Sequence, residues 1–177
     1  QAPFVYVDDG DTSTTIATLP SQIAPLDQIG DRGAQLFLDI EVLDDRVFAL
    51  GIDRGNLAAT HMVGAGALFV AAYSTDGERL WLTRFGSDDG ELDFSFDMIV
   101  DNNRLYVTGR YLGMGVFGQK DHFVTALDAE TGELLATDIW GGRGPQFGAN
   151  LAMGGDLYVT GIGIDASEIS LQDRGDS

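Results

Sequence analysis

The sequence predicts an all-β fold of antiparallel strands, and three observations support this prediction. Glycine accounts for 24 of the 177 residues, whereas glutamate and lysine, which favour helices, are scarce. Apolar and polar residues alternate with period two in several segments, as in 93–101, where every second side chain is apolar: Phe94, Phe96, Met98 and Val100. This period does not collect apolar residues on one side of a helix. The third observation is that similar segments recur along the chain.

The first kind of recurring segment has an alternating stretch, a polar turn, a short apolar strand and a closing glycine. It occurs three times, at 36–51 (LFLDIEVLDDRVFALG), 93–109 (DFSFDMIVDNNRLYVTG) and 146–161 (QFGANLAMGGDLYVTG). Gly30, Gly86 and Gly142 lie 56 residues apart. A period of this length is in the range of propeller-type repeats, so we predict a repeat of that type.

The second kind of segment lies between copies of the first. It occurs at 67–86 (ALFVAAYSTDGERLWLTRFG) and 122–141 (HFVTALDAETGELLATDIWG), with a weaker copy at 4–19 (FVYVDDGDTSTTIATL). Residue types that tolerate positive φ join the strands within both kinds: Asp44-Asp45, Asn102-Asn103, Gly154-Gly155, Asp76-Gly77 and Thr131-Gly132. Each unit therefore consists of two hairpins, and four antiparallel strands are the make-up of a propeller blade.

We expect residues 1–177 to form a single β-repeat domain of about three units. Two units are complete, at about 30–86 and 86–142, and the third runs from 142 to 163 and is completed by 1–29. Joining the two ends in one unit hides two open strand edges. Propellers typically have four to eight blades. Three units therefore leave several interpretations open: a fragment, a partial propeller, half of a six-bladed dimer or part of another assembly, a β-trefoil or a β-prism.

Two segments resemble the repeats of bacterial β-propeller proteins. DHFVTALDAETGELLATDIWGG (121–142) looks like the repeats of the quinoprotein (PQQ-type) propellers and of the related SBBP-type proteins, and GSDDGELDFSFDMIVDNNRLYVTG (86–109) resembles the SBBP pattern more closely. Trp81 matches the tryptophan that docks between blades in the quinoprotein type, whereas Ala136 stands at that place in the next copy. The resemblance implies propeller-type blades and leaves function open, because such repeats occur in enzymes, scaffolds and surface proteins.

Composition excludes several classes of function. The formal charge of −18 argues against nucleic acid as a partner, because binding it begins with positive charge. The absence of cysteine excludes disulfides, thiolate zinc sites and a cysteine nucleophile, and it argues against a quinoprotein dehydrogenase, since many of those enzymes carry adjacent cysteines. The longest apolar run, 62–73, is too short to span a bilayer. The chain opens at Gln1, which we interpret as a processed, extracytoplasmic protein.

Clusters of aspartate are the candidate metal ligands. Asp8, Asp9 and Asp11 flank a glycine, and Asp88 and Asp89 are adjacent. Calcium prefers several carboxylate and carbonyl oxygens on a flexible loop, so these five residues are candidate calcium ligands. Turn formation and strand capping by aspartate is the favoured interpretation, and no cofactor other than calcium is expected.

The remaining candidates are aromatic residues next to loops. Tyr111, Phe117 and Trp140 are candidate partner-binding residues, although packing between strands is the favoured interpretation of the aromatic set. The two histidines, His61 and His122, are expected at the surface or at strand edges. No catalytic signature is present, so we expect a non-enzymatic binding or structural module that docks to partner proteins or self-assembles. The alternatives are a lectin-like carbohydrate-binding protein and a hydrolase or lyase that uses loop carboxylates.

Overall fold

A computed structural model describes residues 4–8, 13–18, 35–53, 58–63, 67–86, 94–111, 121–141 and 146–163. All regular secondary structure in these ranges is β-strand, which confirms the all-β prediction. The strands are β1 (Phe4–Asp8), β2 (Ser13–Thr18), β3 (Gln35–Leu43), β4 (Arg46–Asp53), β5 (His61–Val63), β6 (Leu68–Ser74), β7 (Arg79–Phe85), β8 (Phe94–Asp101), β9 (Arg104–Tyr111), β10 (Asp121–Asp128), β11 (Leu134–Trp140), β12 (Gln146–Met153) and β13 (Leu157–Gly163).

Four of the first sheet's strands are antiparallel, as the sequence predicts, and one strand is additional. The order is β3-β4-β6-β7-β5, and β5 pairs in parallel with the outer edge of β7. With only three residues, from His61 to Val63, β5 is too short to show an alternating pattern.

The second sheet has four antiparallel strands in chain order, β8-β9-β10-β11. Its hairpin turns use the residue types that the sequence singled out. Asn102 and Asn103 have positive φ, as does Asp44 in the corresponding turn of the first sheet. Gly132 ends the turn between β10 and β11 with φ of 77°. These turns confirm that short polar and glycine pairs close the hairpins.

The first hairpin of each sheet carries one extra residue at the same place. The pairing of β3 with β4 shifts so that Asp39 lies opposite Leu50. The pairing of β8 with β9 shifts in the same way at Asp97, and that of β12 with β13 at Asn150. A bulge bends the strand and re-aims the next side chain. Asp39, Asp97 and Asn150 therefore occupy equivalent positions in three hairpins.

The sheets stack face to face. β3 packs against β8, and β8 and β9 pack against β12. The main apolar core lies between the first and second sheets, where Phe48, Leu50, Val70 and Trp81 meet Val107 and other side chains of the second sheet. A smaller cluster lies on the opposite face of the first sheet and is formed by Ala49, Phe69, Ala71, Tyr73 and Leu82.

The two ends of the described chain form separate hairpins. The third sheet consists of β12 and β13 alone, and the N-terminal hairpin consists of β1 and β2. Within the described ranges no ladder joins these hairpins. Completion of a third unit by the N-terminal residues stays a prediction, as do the unit boundaries and the number of blades.

Candidate binding cleft

Aspartate carboxylates form hydrogen bonds between each sheet and the next one along the stack. Asp39 Oδ2 on β3 accepts the main-chain N–H of Met98 on β8 at 2.9 Å. Asp97 Oδ2 on β8 accepts the main-chain N–H of Leu151 on β12 at 2.6 Å. Both acceptors directly follow the bulge of their strand, which aims them at the neighbouring sheet. The same bond therefore joins the first sheet to the second and the second to the third.

A tight turn closes the outer end of the interface between the first and second sheets. Trp81 Nε1 on β7 donates to the carbonyl oxygen of Ala129 at 3.3 Å, and Arg46 Nη1 donates to the same oxygen at 3.0 Å. Thr83 Oγ1 donates to the carbonyl oxygen of Gly132 at 2.6 Å. Strands β4 and β7 of the first sheet thus bind the β10–β11 turn at this end of the interface.

The interface between the second and third sheets has a different outer end. The second sheet presents four strands, whereas the third sheet offers β12 and β13 in the part of the chain that the structure describes. A cleft of about 530 Å³ lies over β10 and β11. Its apolar lining comes from both sheets: Val124, Ala126, Ala136, Met153, Leu157 and Val159.

Polar and aromatic groups border the same cleft. Trp140, at the end of β11, is half-buried, and its ring centroid lies 5.7 Å from that of His122. Tyr106 contributes a second aromatic side chain. Charged residues line the remainder: Asp101, Arg104, Asp138 and Asp156. An apolar floor with aromatic and charged groups around it suits an amphipathic occupant rather than a purely apolar one.

Two carboxylates, Glu41 on β3 and Asp97 on β8, lie in surroundings that disfavour their charge. Burial raises the pKa of Asp97; the N–H of Leu151 opposes this shift, and the negative charge of Asp39 adds to it. Burial also raises the pKa of Glu41, followed by the negative charges of Asp39 and Asp97. Within the described part of the chain, no group of three or more potential ligands is arranged to hold a metal ion.

The structure brings one of the predicted site residues into the cleft. Trp140 lines it, Tyr111 ends β9, and Asp8 ends β1, where only the backbone is described. The other candidates lie outside the described residues: Asp9, Asp11, Asp88, Asp89 and Phe117. The calcium and partner-binding assignments therefore stay predictions.

The surface placement expected for the histidines is wrong for one of them. His122 is buried within the second sheet, because β10 is a central strand rather than an edge. His61 lies in β5, and its Nε2 is 3.1 Å from the carbonyl oxygen of Thr131. The period-two pattern gives the strand but not its place in the sheet, so it could not separate the two cases.

Sequence analysis missed the residues that join the sheets. Asp39 and Asp97 occupy the same place in two recurring segments, and Asn150 takes that place in the third. A polar residue recurring within an otherwise apolar strand was the available signal. Tyr106 was missed because its neighbourhood depends on strands far away in sequence.

The fold and cleft define the described part of the chain as an all-β arrangement of stacked, mainly antiparallel sheets. No protein-family model and no curated protein matches the sequence. Across the described ranges, no helix has the length and apolar character needed to cross a membrane.

Proposed function

We propose that the protein is a non-enzymatic, extracytoplasmic binding or structural module of propeller-type β-sheets, which docks to partner proteins or assembles with itself. One observation carries the proposal: among the described residues the third sheet has two strands, and it lies beside a cleft that is deep enough to take more. A strand edge presents unpaired N–H and C=O groups, and such an edge is a template for an added strand.

The sequence of the open strand supports this mode of binding. The pentapeptide LYVTG occurs in β9 (105–109) and again in β13 (157–161). In β9 it lies between two partners, β8 on one side and β10 on the other. In β13 it pairs with β12 and has no second partner among the described strands. A hairpin like β10–β11 therefore has the register and side-chain pattern to pair with β13.

Three aspartate carboxylates accept main-chain hydrogen bonds that stabilise the fold, and this use differs from a catalytic one. Asp39 and Asp97 each accept a main-chain N–H from a neighbouring sheet. Asp128 accepts the N–H groups of Glu130 and Thr131 and stabilises its own turn. These roles support a binding module over a hydrolase or lyase.

A synthetic peptide that spans residues 121–141, with phenylalanine in place of its own tryptophan, tests the proposal, because this hairpin already pairs with LYVTG in β9. Trp140 borders the cleft, whereas Trp81 is buried in the other interface, so titration should change the emission of Trp140 alone. We expect saturable binding, which Trp140→Phe makes invisible to fluorescence but not to calorimetry. The matched control peptide has proline at Val124 and Thr125, which removes one N–H on each side of the strand. Equal binding of both peptides contradicts the proposal, as does binding of neither peptide by a chain that light scattering shows to be a monomer.

Carbohydrate binding is the second candidate, and the aromatic border of the cleft favours it. A half-buried ring at Trp140 with the charged side chain of Asp138 nearby offers a stacking surface and polar groups for hydroxyls. A glycan array read out with the wild-type chain and with Trp140→Ala tests this candidate. Signals that Trp140→Ala removes favour it, and a silent array rejects it.

A further inference from the structure

The two ends of the stack present complementary halves of one interface. Asp39 and Asp97 accept the N–H groups of Met98 and Leu151, each of which directly follows the equivalent residue of the next sheet. Ile40 holds the same place in the first sheet, and its N–H is bonded to Oδ1 of the adjacent Asp39 at 2.8 Å. At the other end of the stack, Asn150 occupies the acceptor position and is exposed.

The exposed apolar surface at the first sheet matches this pattern. Val42 and Ile40 lie on the face of β3 that points away from the second sheet, because they pair with Val47 and Ala49 of β4. Their exposed fractions are 60% and 56%. Farther across the same face, Phe69 and the rest of its cluster are fully buried. The exposed apolar surface on this face is therefore limited to the inner part of the first sheet, around β3.

We infer that two copies of this chain join head to tail, with β12 and β13 of one copy packed on the exposed part of β3 in the other. In this arrangement the Asn150 side-chain oxygen accepts the N–H of Ile40 in the second copy, as Asp39 and Asp97 do for their neighbours within one chain. The inference rests on the proposed function, because it names a second copy as the partner of the incomplete sheet.

The same arrangement supplies the missing strands of the third sheet. In the first two sheets, we call the first hairpin (β3–β4 or β8–β9) the inner one and the second hairpin (β6–β7 or β10–β11) the outer one. Strand β7 precedes β8, and β11 precedes β12, so an outer hairpin comes just before the inner hairpin of the next sheet. By this order, the N-terminal hairpin before β3 belongs to the sheet that lies ahead of the first one. In the dimer that sheet is the third sheet of the other copy, and β1–β2 fills its cleft.

Closure after two copies follows from the number of sheets. The described part of one chain supplies three inner hairpins, which is fewer than the four to eight blades that propellers typically have, whereas two chains supply six. A head-to-tail interface gives a ring when the rotation closes, and both interfaces of a two-copy ring are identical. Each copy then leaves no open strand edge at β13.

Light scattering on the purified chain gives the first test. We expect twice the chain mass of 18.9 kDa for the wild type. Ile40→Lys should halve the measured mass, because it places a charge in the apolar contact. Met62→Lys is the matched control, since Met62 is 62% exposed on β5 at the opposite edge of the same sheet. A dimer that survives Ile40→Lys overturns the interface, and longer assemblies overturn closure after two copies.

Cysteine cross-linking gives a second test that does not depend on a destabilising change. The chain has no cysteine, so Asn150→Cys and Ile40→Cys each carry one thiol. A disulfide needs Cα atoms roughly 4.4–6.8 Å apart, a separation that a direct side-chain-to-main-chain bond permits. We expect a linked pair of chains only when the two variants are mixed and oxidised. No linkage in the mixture, or equal linkage in either variant alone, overturns the inference.

The two proposals fail in distinguishable ways. A chain of single mass that still binds the 121–141 peptide retains the proposed function and loses the second copy as partner. A dimer whose β13 edge stays open contradicts the inferred interface, and a monomer that binds neither peptide contradicts the proposed function.

Discussion

Asp97 on β8 accepts the main-chain N–H of Leu151 on β12 across 2.6 Å, and it thereby joins the second sheet to the third. Replacement of Asp97 by alanine leaves that N–H without its acceptor at a half-buried position. We expect Asp97→Ala to lower the free energy of unfolding by about 1–3 kcal/mol. Urea denaturation measures this loss. An unchanged midpoint contradicts the assigned role of the bond.

Neutralising the same side chain should have the opposite effect at neutral pH. Burial raises the pKa of Asp97 above its value in the unfolded chain, so the folded state binds the proton more tightly. The stability that the protonated Asp97 side chain adds to the folded state is therefore fully present below the pKa of the unfolded chain. It is lost as pH rises through the pKa of the folded state. We expect Asp97→Asn, which keeps an acceptor for Leu151, to raise the melting temperature at pH 7. The gain should shrink as pH falls, and a gain that grows toward acid pH rejects this explanation.

Asp128 should show the reverse dependence on pH. The N–H of Thr131 is the main cause that lowers the pKa of Asp128, with help from the Thr131 hydroxyl and the N–H of Glu130. Its contribution is present above the unfolded pKa and is lost as pH falls through the folded pKa. We expect Asp128→Ala to cost about 1 kcal/mol at pH 7 and less in acid. Asp128→Ser is the matched variant, because Ser74 accepts the N–H of Glu78 in the turn between β6 and β7.

Alanine substitutions at two glycines with positive φ distinguish the cost of backbone strain from the cost of a steric clash. A Cβ at Gly132, where φ is 77°, would lie 2.6 Å from the ring of Trp81. A Cβ at Gly155, where φ is 93°, would meet nothing within 4 Å. We expect Gly155→Ala to cost about 1–2 kcal/mol from the backbone alone. Gly132→Ala should cost more, since the Trp81 ring must also move. Equal losses in thermal unfolding contradict the close packing of Trp81 on this turn.

Local patterns in the sequence predicted the strands and turns well because their causes are local. Period-two alternation located β8, and the residue types at Asn102 and Asn103 located its turn. The parallel strand β5 escaped prediction because its pairing with β7 is set by tertiary contacts. The cleft could not be read from the sequence either, since its lining comes from two sheets whose packing the strand pattern does not predict. Trp140 was a candidate from its place beside a loop, whereas Tyr106, which lines the same cleft, looked like an ordinary strand residue.

Hydrogen exchange at the two LYVTG segments tests the open edge of the third sheet most directly. Residues 105–109 and 157–161 have the same sequence, so differences in exchange between them report mainly the structure around each. In dilute protein we expect slow exchange in the first segment and faster exchange in the second. Added 121–141 peptide, or a rising concentration of the chain itself, should slow exchange at 157–161 toward the rate at 105–109. Equal protection of both segments in dilute monomer, or no change at 157–161 under either condition, contradicts a binding role for β13.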